Sequence, residues 1–255
     1  MKLGIIGCGA IGSDVAKAAD TFDEISEMYL FDKEPKNEKQ LCSELKKGHC
    51  AGVEELIENS DIVFEAASQE AVRQYAQKVL TKGKDLILMS IGSLFDDTFR
   101  EDLTEIAKEH KCKIYLPSGA VCGIDGILSA SLDRIDKVTL VTTKPPSSLG
   151  KKIEKRTVLF HGSARDAVKK FPKNINVAAN LSIAGIGFDK TIVEIVADPV
   201  ATRNSHKILA HGGFGRLRAE VENMPNPNNP GSSYLASLSA IATLKKILNP
   251  IQIGA

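Results

Sequence analysis

Three glycines at the start of the chain carry its clearest chemistry. Gly7, Gly9 and Gly12 follow the apolar run Leu3 to Ile6, and Ile11, Val15, Ala18 and Ala19 then recur on one helical face. Strand, G-x-G-x-x-G and helix in this order make a cradle for a pyrophosphate. The first glycine permits a tight turn, the second lets backbone approach the phosphates, and the third lets the helix lie against the strand. The N–H groups of Ala10, Ile11 and Gly12, at the positive end of the helix dipole, would face the anion. A second apolar run, Met28 to Phe31, ends in Asp32, twenty residues beyond Gly12. An acid at that distance hydrogen-bonds a ribose 2′-OH, which favours NAD. Lys33 beside it would suit a 2′-phosphate, so NADP stays open.

Hydride chemistry on an amine or alcohol also needs a proton carrier, and histidine titrates in the right range. There are five. His49 falls in a polar stretch read as a loop, His110 ends a helix, and His161 closes a strand. His206 and His211 follow the Asp198-Pro199 turn, and residue type alone does not choose between them. Asp198 reads as a turn or cap residue because a proline follows it. The five cysteines, Cys8, Cys42, Cys50, Cys112 and Cys122, show neither paired spacing nor a zinc pattern, so reduced thiols and no metal are expected. Cys8, inside the glycine loop, reads as a small filler.

The elements that position these residues alternate over the first 120 positions. Strands are expected at 2–6, 27–31, 61–65, 85–90 and 113–116, with helices at 11–19, 53–58, 69–80 and 96–110. Short apolar strands separated by amphipathic helices predict a parallel, doubly wound sheet. Ligands bind beyond the carboxyl ends of such strands. That edge collects Gly7 to Gly12, Asp32, Ala66-Ala67-Ser68, Ser90-Ile91-Gly92 and Ser118-Gly119-Ala120, and its small residues suit a close-lying cofactor.

After Ala120 the texture changes. Gly119, Gly123 and Gly126 suggest a hinge. β-Branched stretches at 137–143, 157–161 and 191–197, with a weaker one at 217–222, predict a mostly antiparallel sheet covered by helices at 164–171 and 174–184. The prolines between Met224 and Gly231 predict an irregular linker. A last helix, 232–248, carries an apolar stripe that needs a surface to cover. The resulting division is α/β: a Rossmann-type domain over 1–120, completed by 232–255, and an α+β domain over 121–231.

Composition sets limits on function. The chain has 255 residues, a formal charge of +1 and 43% hydrophobic residues, as expected of a soluble globular protein. No basic stripe suggests nucleic acid. No apolar run approaches the roughly 20 residues of a membrane span. The chain opens directly on a strand, so no secretory segment and a cytoplasmic location are expected.

Longer blocks carry a more specific signal: Glu65-Ala66-Ala67-Ser68, Ser118-Gly119-Ala120, Phe171 to Ala179 (Phe-Pro-Lys-Asn-Ile-Asn-Val-Ala-Ala), Val196-Ala197-Asp198-Pro199 and Asn204-Ser205-His206-Lys207-Ile208. With these the chain resembles the L-aspartate dehydrogenase family along nearly its whole length. The resemblance implies reversible NAD(P)-dependent oxidation of L-aspartate to iminoaspartate, which yields oxaloacetate and ammonia or feeds quinolinate and so NAD synthesis. It implies a homodimer. It makes His206 the catalytic histidine and gives Ala120 and Asn176 cofactor contacts. Lys173 and Asn174, at the start of a helix, are candidates for the substrate carboxylates. One departure is the positive Lys207, where the family pattern leads one to expect an acid.

Two other classes compete. One is another two-domain reductase, of the homoserine dehydrogenase or dihydrodipicolinate reductase type, but the His-His motif followed by lysine of the latter is missing. The other is an NAD(P) sensor without turnover, which would keep Gly7 to Gly12 and Asp32 but need no proton carrier.

Overall fold

The computed structural model describes residues 1–149, 152–171 and 175–254. The chain divides into two compact units, Met1–Pro117 with Ser237–Ile251, and Ser118–Ala236 with Gln252–Ala255. Lys173 and Asn174 lie outside the described residues.

The first unit alternates β1 (Lys2–Ile6), α1 (Ala10–Ala19), β2 (Glu27–Phe31), α2 (Pro35–Glu44), β3 (Gly48–Cys50), α3 (Val53–Asn59), β4 (Ile62–Glu65), α4 (Gln69–Thr81), β5 (Asp85–Leu88), α5 (Asp97–Glu109) and β6 (Ile114–Tyr115). A short 3-10 turn, Ile91–Phe95, links β5 to α5. The strands order as β3-β2-β1-β4-β5-β6, and their ladders are parallel. This order reverses between β1 and β4, the switch point where doubly wound sheets bind ligands. Leu3, Ile5, Leu30, Val63, Phe64 and Ile87 are wholly buried, as expected of strands covered on both faces. Two elements escape the sequence pattern. Helix α2 buries Leu41 alone, so it has no apolar face to read. Strand β3 has three residues at the sheet edge, and His49 therefore stands in a strand rather than a loop.

The second unit contains α6 (Ile124–Ala130), β7 (Ile135–Lys144), β8 (Thr157–Ser163), α7 (Ala164–Lys170), α8 (Asn176–Ala184), β9 (Ile192–Ala197), β10 (Asn204–Gly212) and β11 (Gly215–Asn223). The sheet runs β11-β10-β7-β9-β8, antiparallel except for the β7–β9 pair. Two of the three glycines of the expected hinge, Gly123 and Gly126, lie at the start of α6. Gly123, at φ +85°, caps the helix, and its glycines allow close packing, since a Cβ on Gly126 would stand 2.7 Å from Leu217 Cδ1. Strand β10 has no clear apolar alternation, because its inward positions include Asn204 and His206 as well as Ile208 and Ala210.

The proline-rich stretch is not wholly irregular. β12 (Pro225–Asn226) and β13 (Asn229–Ser233) pair as a short hairpin. Asn226 Oδ1 closes its turn by accepting the N–H groups of Asn228 (2.7 Å) and Asn229 (3.2 Å). Helix α9 (Tyr234–Leu248) buries Ala240 and Leu244, and Lys245 Nζ lies 5.3 Å from the centre of the Phe22 ring in the first unit.

Candidate functional site

The glycine loop forms one wall of a groove in the first unit. A cavity of about 390 Å³ is lined by Ile6, Gly7, Gly9, Asp32, Lys33, Ala66, Ala67, Ser68 and Tyr75, among others. Gly7 adopts φ +101°, and a Cβ there would stand 2.7 Å from the Ala67 nitrogen. A Cβ on Gly12 would strike the Gly7 carbonyl oxygen. A Cβ on Gly9, by contrast, would meet no atom within 4 Å, so the backbone is open on that side. The Ser13 N–H reaches the Gly9 carbonyl at 2.8 Å, and helix geometry leaves the N–H groups of Ala10, Ile11 and Gly12 without a helical acceptor. These features fit a dinucleotide: a backbone that can be approached, unpaired donors for the pyrophosphate, and a carboxylate for the ribose.

That carboxylate has two roles. Asp32 accepts the Cys8 N–H at 2.7 Å and the Glu34 N–H at 2.8 Å, so it knits the loop as well as lining the groove. Burial and the nearby Asp32 charge push the Cys8 thiol up to about 12, which leaves it inert as a nucleophile. Ser68 Oγ caps α4 by accepting the Ala71 N–H at 3.1 Å.

Glu65 is legible in the sequence as part of a block but not as a structural hub. It is 2% exposed and accepts four hydrogen bonds. They come from the N–H groups of Ala67 (2.8 Å), Ser68 (2.9 Å) and Ser90 (3.0 Å), and from Ser90 Oγ (2.9 Å). Burial raises its carboxyl above the usual range, while the donors from Ser90, Ala67 and Ser68 oppose that. The carboxylate thus ties the loops after β4 and β5, and the first of these lines the groove.

The second unit holds His206, the candidate proton carrier. His206 stands opposite Thr142 across β10 and β7, and Thr142 Oγ1 hydrogen-bonds His206 Nδ1 at 2.9 Å. That bond engages Nδ1 and leaves Nε2 as the other ring nitrogen. Burial, reinforced by the Lys144 charge, lowers the imidazole to about 4, so it is neutral at pH 7. Burial also lowers Lys144 itself. Sequence reasoning misses this lysine because, followed by two prolines, it reads as the start of a surface loop. Thr142 and Lys144 line a cavity of about 360 Å³ with Lys170, Phe171, Ile175 and Ala178.

Strand alternation separates the two histidines that residue type leaves open. His206 is on the inner face. His211 is exposed on the outer face, with Nδ1 3.9 Å from Asp136. Lys207 is also on the outer face, paired with Glu220 at 2.9 Å, so the departure at this position does not put a charge on the His206 side of the sheet. His161 is exposed and bonded to Glu194 at 3.1 Å. Asp198 accepts the Val200 N–H at 3.1 Å, as a turn residue. Ala120 is buried, its carbonyl accepting Asn223 Nδ2 at 3.0 Å, and Asn176 opens α8. Among the described residues no group of three or more His, Cys, Asp or Glu is placed to hold a metal ion.

Comparison with known proteins agrees with this layout. Residues 125–247 match the family described as aspartate dehydrogenase, C-terminal, and residues 7–117 match the NAD binding domain of homoserine dehydrogenase. The L-aspartate dehydrogenase of Methanosarcina acetivorans is 48% identical over 269 residues, covering 100% of this chain and 99% of that protein. The L-aspartate dehydrogenase of Methanothermobacter thermautotrophicus is 40% identical over 256 residues, covering 100% and 98%. The crystal structure of aspartate dehydrogenase from Thermotoga maritima superposes with a TM-score of 0.85 at 30% identity, covering 100% and 99%. A dihydrodipicolinate reductase from Paenisporosarcina, at 13% identity and TM-score 0.56 over 96% of this chain and 92% of its own, shares the fold alone. A nucleotide-binding half common to several dehydrogenases is thus joined to a C-terminal half of one specific kind, and the chain belongs to the aspartate dehydrogenase family.

Proposed function

We propose that this protein is an L-aspartate dehydrogenase that uses NAD and employs His206 as its acid and base. The observation that carries the residue assignment is the Thr142–His206 pair beside the half-buried Lys144. The cofactor, bound along Gly7 to Gly12 with Ala66, Ala67, Ser68, Ala120 and Asn176 as further contacts, would take the hydride from the substrate Cα. The amine must be neutral before that hydride leaves, and water must then add to the imine. A neutral imidazole with Nε2 free serves the first step by accepting the ammonium proton, passes that proton to solvent, and then serves the second by taking a proton from the attacking water. Lys144 is the cation best placed for a substrate carboxylate. An anion beside it offsets its charge and removes that part of the lowering of the His206 imidazole, leaving the larger part that burial causes. Lys173 and Asn174 remain candidates for the second carboxylate. Asp32 in the groove disfavours a 2′-phosphate, which supports NAD over NADP.

The family expectation extends to a homodimer whose iminoaspartate feeds quinolinate and NAD synthesis. Among the described residues no helix is long and apolar enough to cross a membrane. The deciding assay follows NADH and NADPH absorbance with oxaloacetate and ammonia, against pyruvate, 2-oxoglutarate and aspartate semialdehyde. Ammonia-dependent oxidation with oxaloacetate alone is the expected result. Cofactor binding without turnover on any of them overturns the proposal in favour of a sensor.

A further inference from the structure

The inner face of the second sheet carries two buried acceptors that the fold itself does not satisfy. Asn204 and Asn223 are directly opposed on β10 and β11. Asn223 is 3% exposed, and although its Nδ2 donates to the Ala120 carbonyl, its Oδ1 accepts nothing. Asn204 Oδ1 is likewise buried without a partner. An amide oxygen shut away in this state costs about 1–3 kcal/mol, and native proteins hold few. Opposed residues of antiparallel strands have Cα atoms about 4.5–5.5 Å apart with side chains on the same face. The two oxygens therefore belong to one locality.

That locality is the polar end of an apolar surface. Alternation puts Asn204 two residues from His206 on the same face, and Asn223 two residues from Val221, which opposes His206. Lys144 follows Thr143, which opposes Ser205, and shares the face of Thr142. Farther along, the same face carries Ile208, Ala210, Val138 and Leu140, all buried. A cation, a neutral imidazole and two acceptor oxygens are thus collected where the rest of the face is hydrocarbon.

We propose that Asn204 Oδ1 and Asn223 Oδ1 receive the N–H donors of the substrate amine, and of ammonia in the reverse direction, beside His206 Nε2. The inference rests on the aspartate dehydrogenase reading and specifies which residues recognise nitrogen. An ammonium offers three donors, enough for both oxygens and for the imidazole that takes the proton. A 2-hydroxy acid offers one, which the imidazole takes, and leaves both amide oxygens unpaired, and sites built around hydrogen bonds reject such analogues strongly.

The test uses Asn204→Leu, which is close to asparagine in volume, removes one orphan oxygen and keeps the Asn223–Ala120 bond. The KM for ammonia should rise about tenfold or more, and preference for aspartate over malate should fall similarly, as expected for one lost hydrogen bond to a charged group. The KM for oxaloacetate and the NADH dissociation constant should stay within about twofold. The melting temperature should hold or rise, because the variant buries no unpaired oxygen. An unchanged ammonia KM overturns the proposal. So does a selective loss of NADH affinity, which would assign the oxygens to the nicotinamide carboxamide, or a general loss of stability and all parameters together. Asn204→Ala carries the same expectations if leucine prevents folding. Lack of ammonia-dependent turnover in the unmodified protein would remove the aspartate reading and this inference with it, and is distinguished by being seen without any substitution.

Discussion

Thr142 Oγ1 and His206 Nδ1 lie 2.9 Å apart across directly opposed positions of β7 and β10. A hydroxyl on one strand thus sets the ring orientation of a histidine on the next and commits Nδ1, leaving Nε2 for the proposed chemistry. Replacing His206 with Ala is expected to lower kcat by about 10²–10⁴-fold, the usual yield of a positioned acid–base group. The NADH dissociation constant, read by fluorescence titration, should be unchanged. An unaltered rate in this variant would remove His206 from catalysis.

The acidic side of the pH profile follows from the same ring. Burial and Lys144 hold the His206 imidazole at about 4, so kcat/KM of the free enzyme should fall on the acid side well below the usual histidine range near 6.5. Lys144→Met removes the nearby cation and should move that limb upward. Stability has a defined sign. The unfolded chain binds the proton first, so stability is present above about 6.5 and is lost as pH falls from there through about 4. Melting temperatures measured between pH 7 and 4.5 should fall less steeply in His206→Gln than in the unmodified protein.

Cofactor choice is expected to turn on Asp32. Asp32→Ser removes the charge that opposes a 2′-phosphate and should shift the NADPH to NADH ratio of kcat/KM by about tenfold or more toward NADPH. Because Asp32 also accepts the Cys8 and Glu34 N–H groups, the variant should lose some affinity for both cofactors. Steady-state kinetics with each cofactor separates the two effects, and an unchanged ratio would deny Asp32 its role in selectivity.

Glu65 is expected to matter for stability first. In Glu65→Gln an amide NH₂ replaces one carboxylate oxygen, so a donor meets a donor from Ser90 or from the Ala67 and Ser68 pair. A buried clash of this kind costs about 1–3 kcal/mol. Denaturant unfolding should show that loss. NADH affinity should fall with it, because Ala67 and Ser68 line the groove.

Much of the first unit is legible in the sequence because its signals are local. β1 and β2 appear at the expected residues, since an apolar run bounded by turn residues defines a buried strand without reference to its neighbours. α2 and β3 are not legible, because one buried leucine and three edge residues leave no periodic trace. In the second unit β10 escapes for a different reason. Its inner face mixes Asn204 and His206 with Ile208 and Ala210, so the polar positions proposed to carry its chemistry are those that break its pattern. The expected linker holds a hairpin because Pro225 and Pro230 sit at edge positions that need no ladder donor.

The sequence by itself determined the glycine cradle, the acid at the end of β2, the α/β order and, through the His206 block, the kind of chemistry. These depend on short spacings that act through the chain's own covalent geometry. Only the tertiary structure decided which histidine shares a face with Thr142 and Lys144, that Lys207 faces away, that Glu65 ties two loops, and that Asn204 opposes Asn223. Each of those is a pairing between distant segments. Register across strands, and the burial that shifts a proton affinity, exist only once the strands lie side by side.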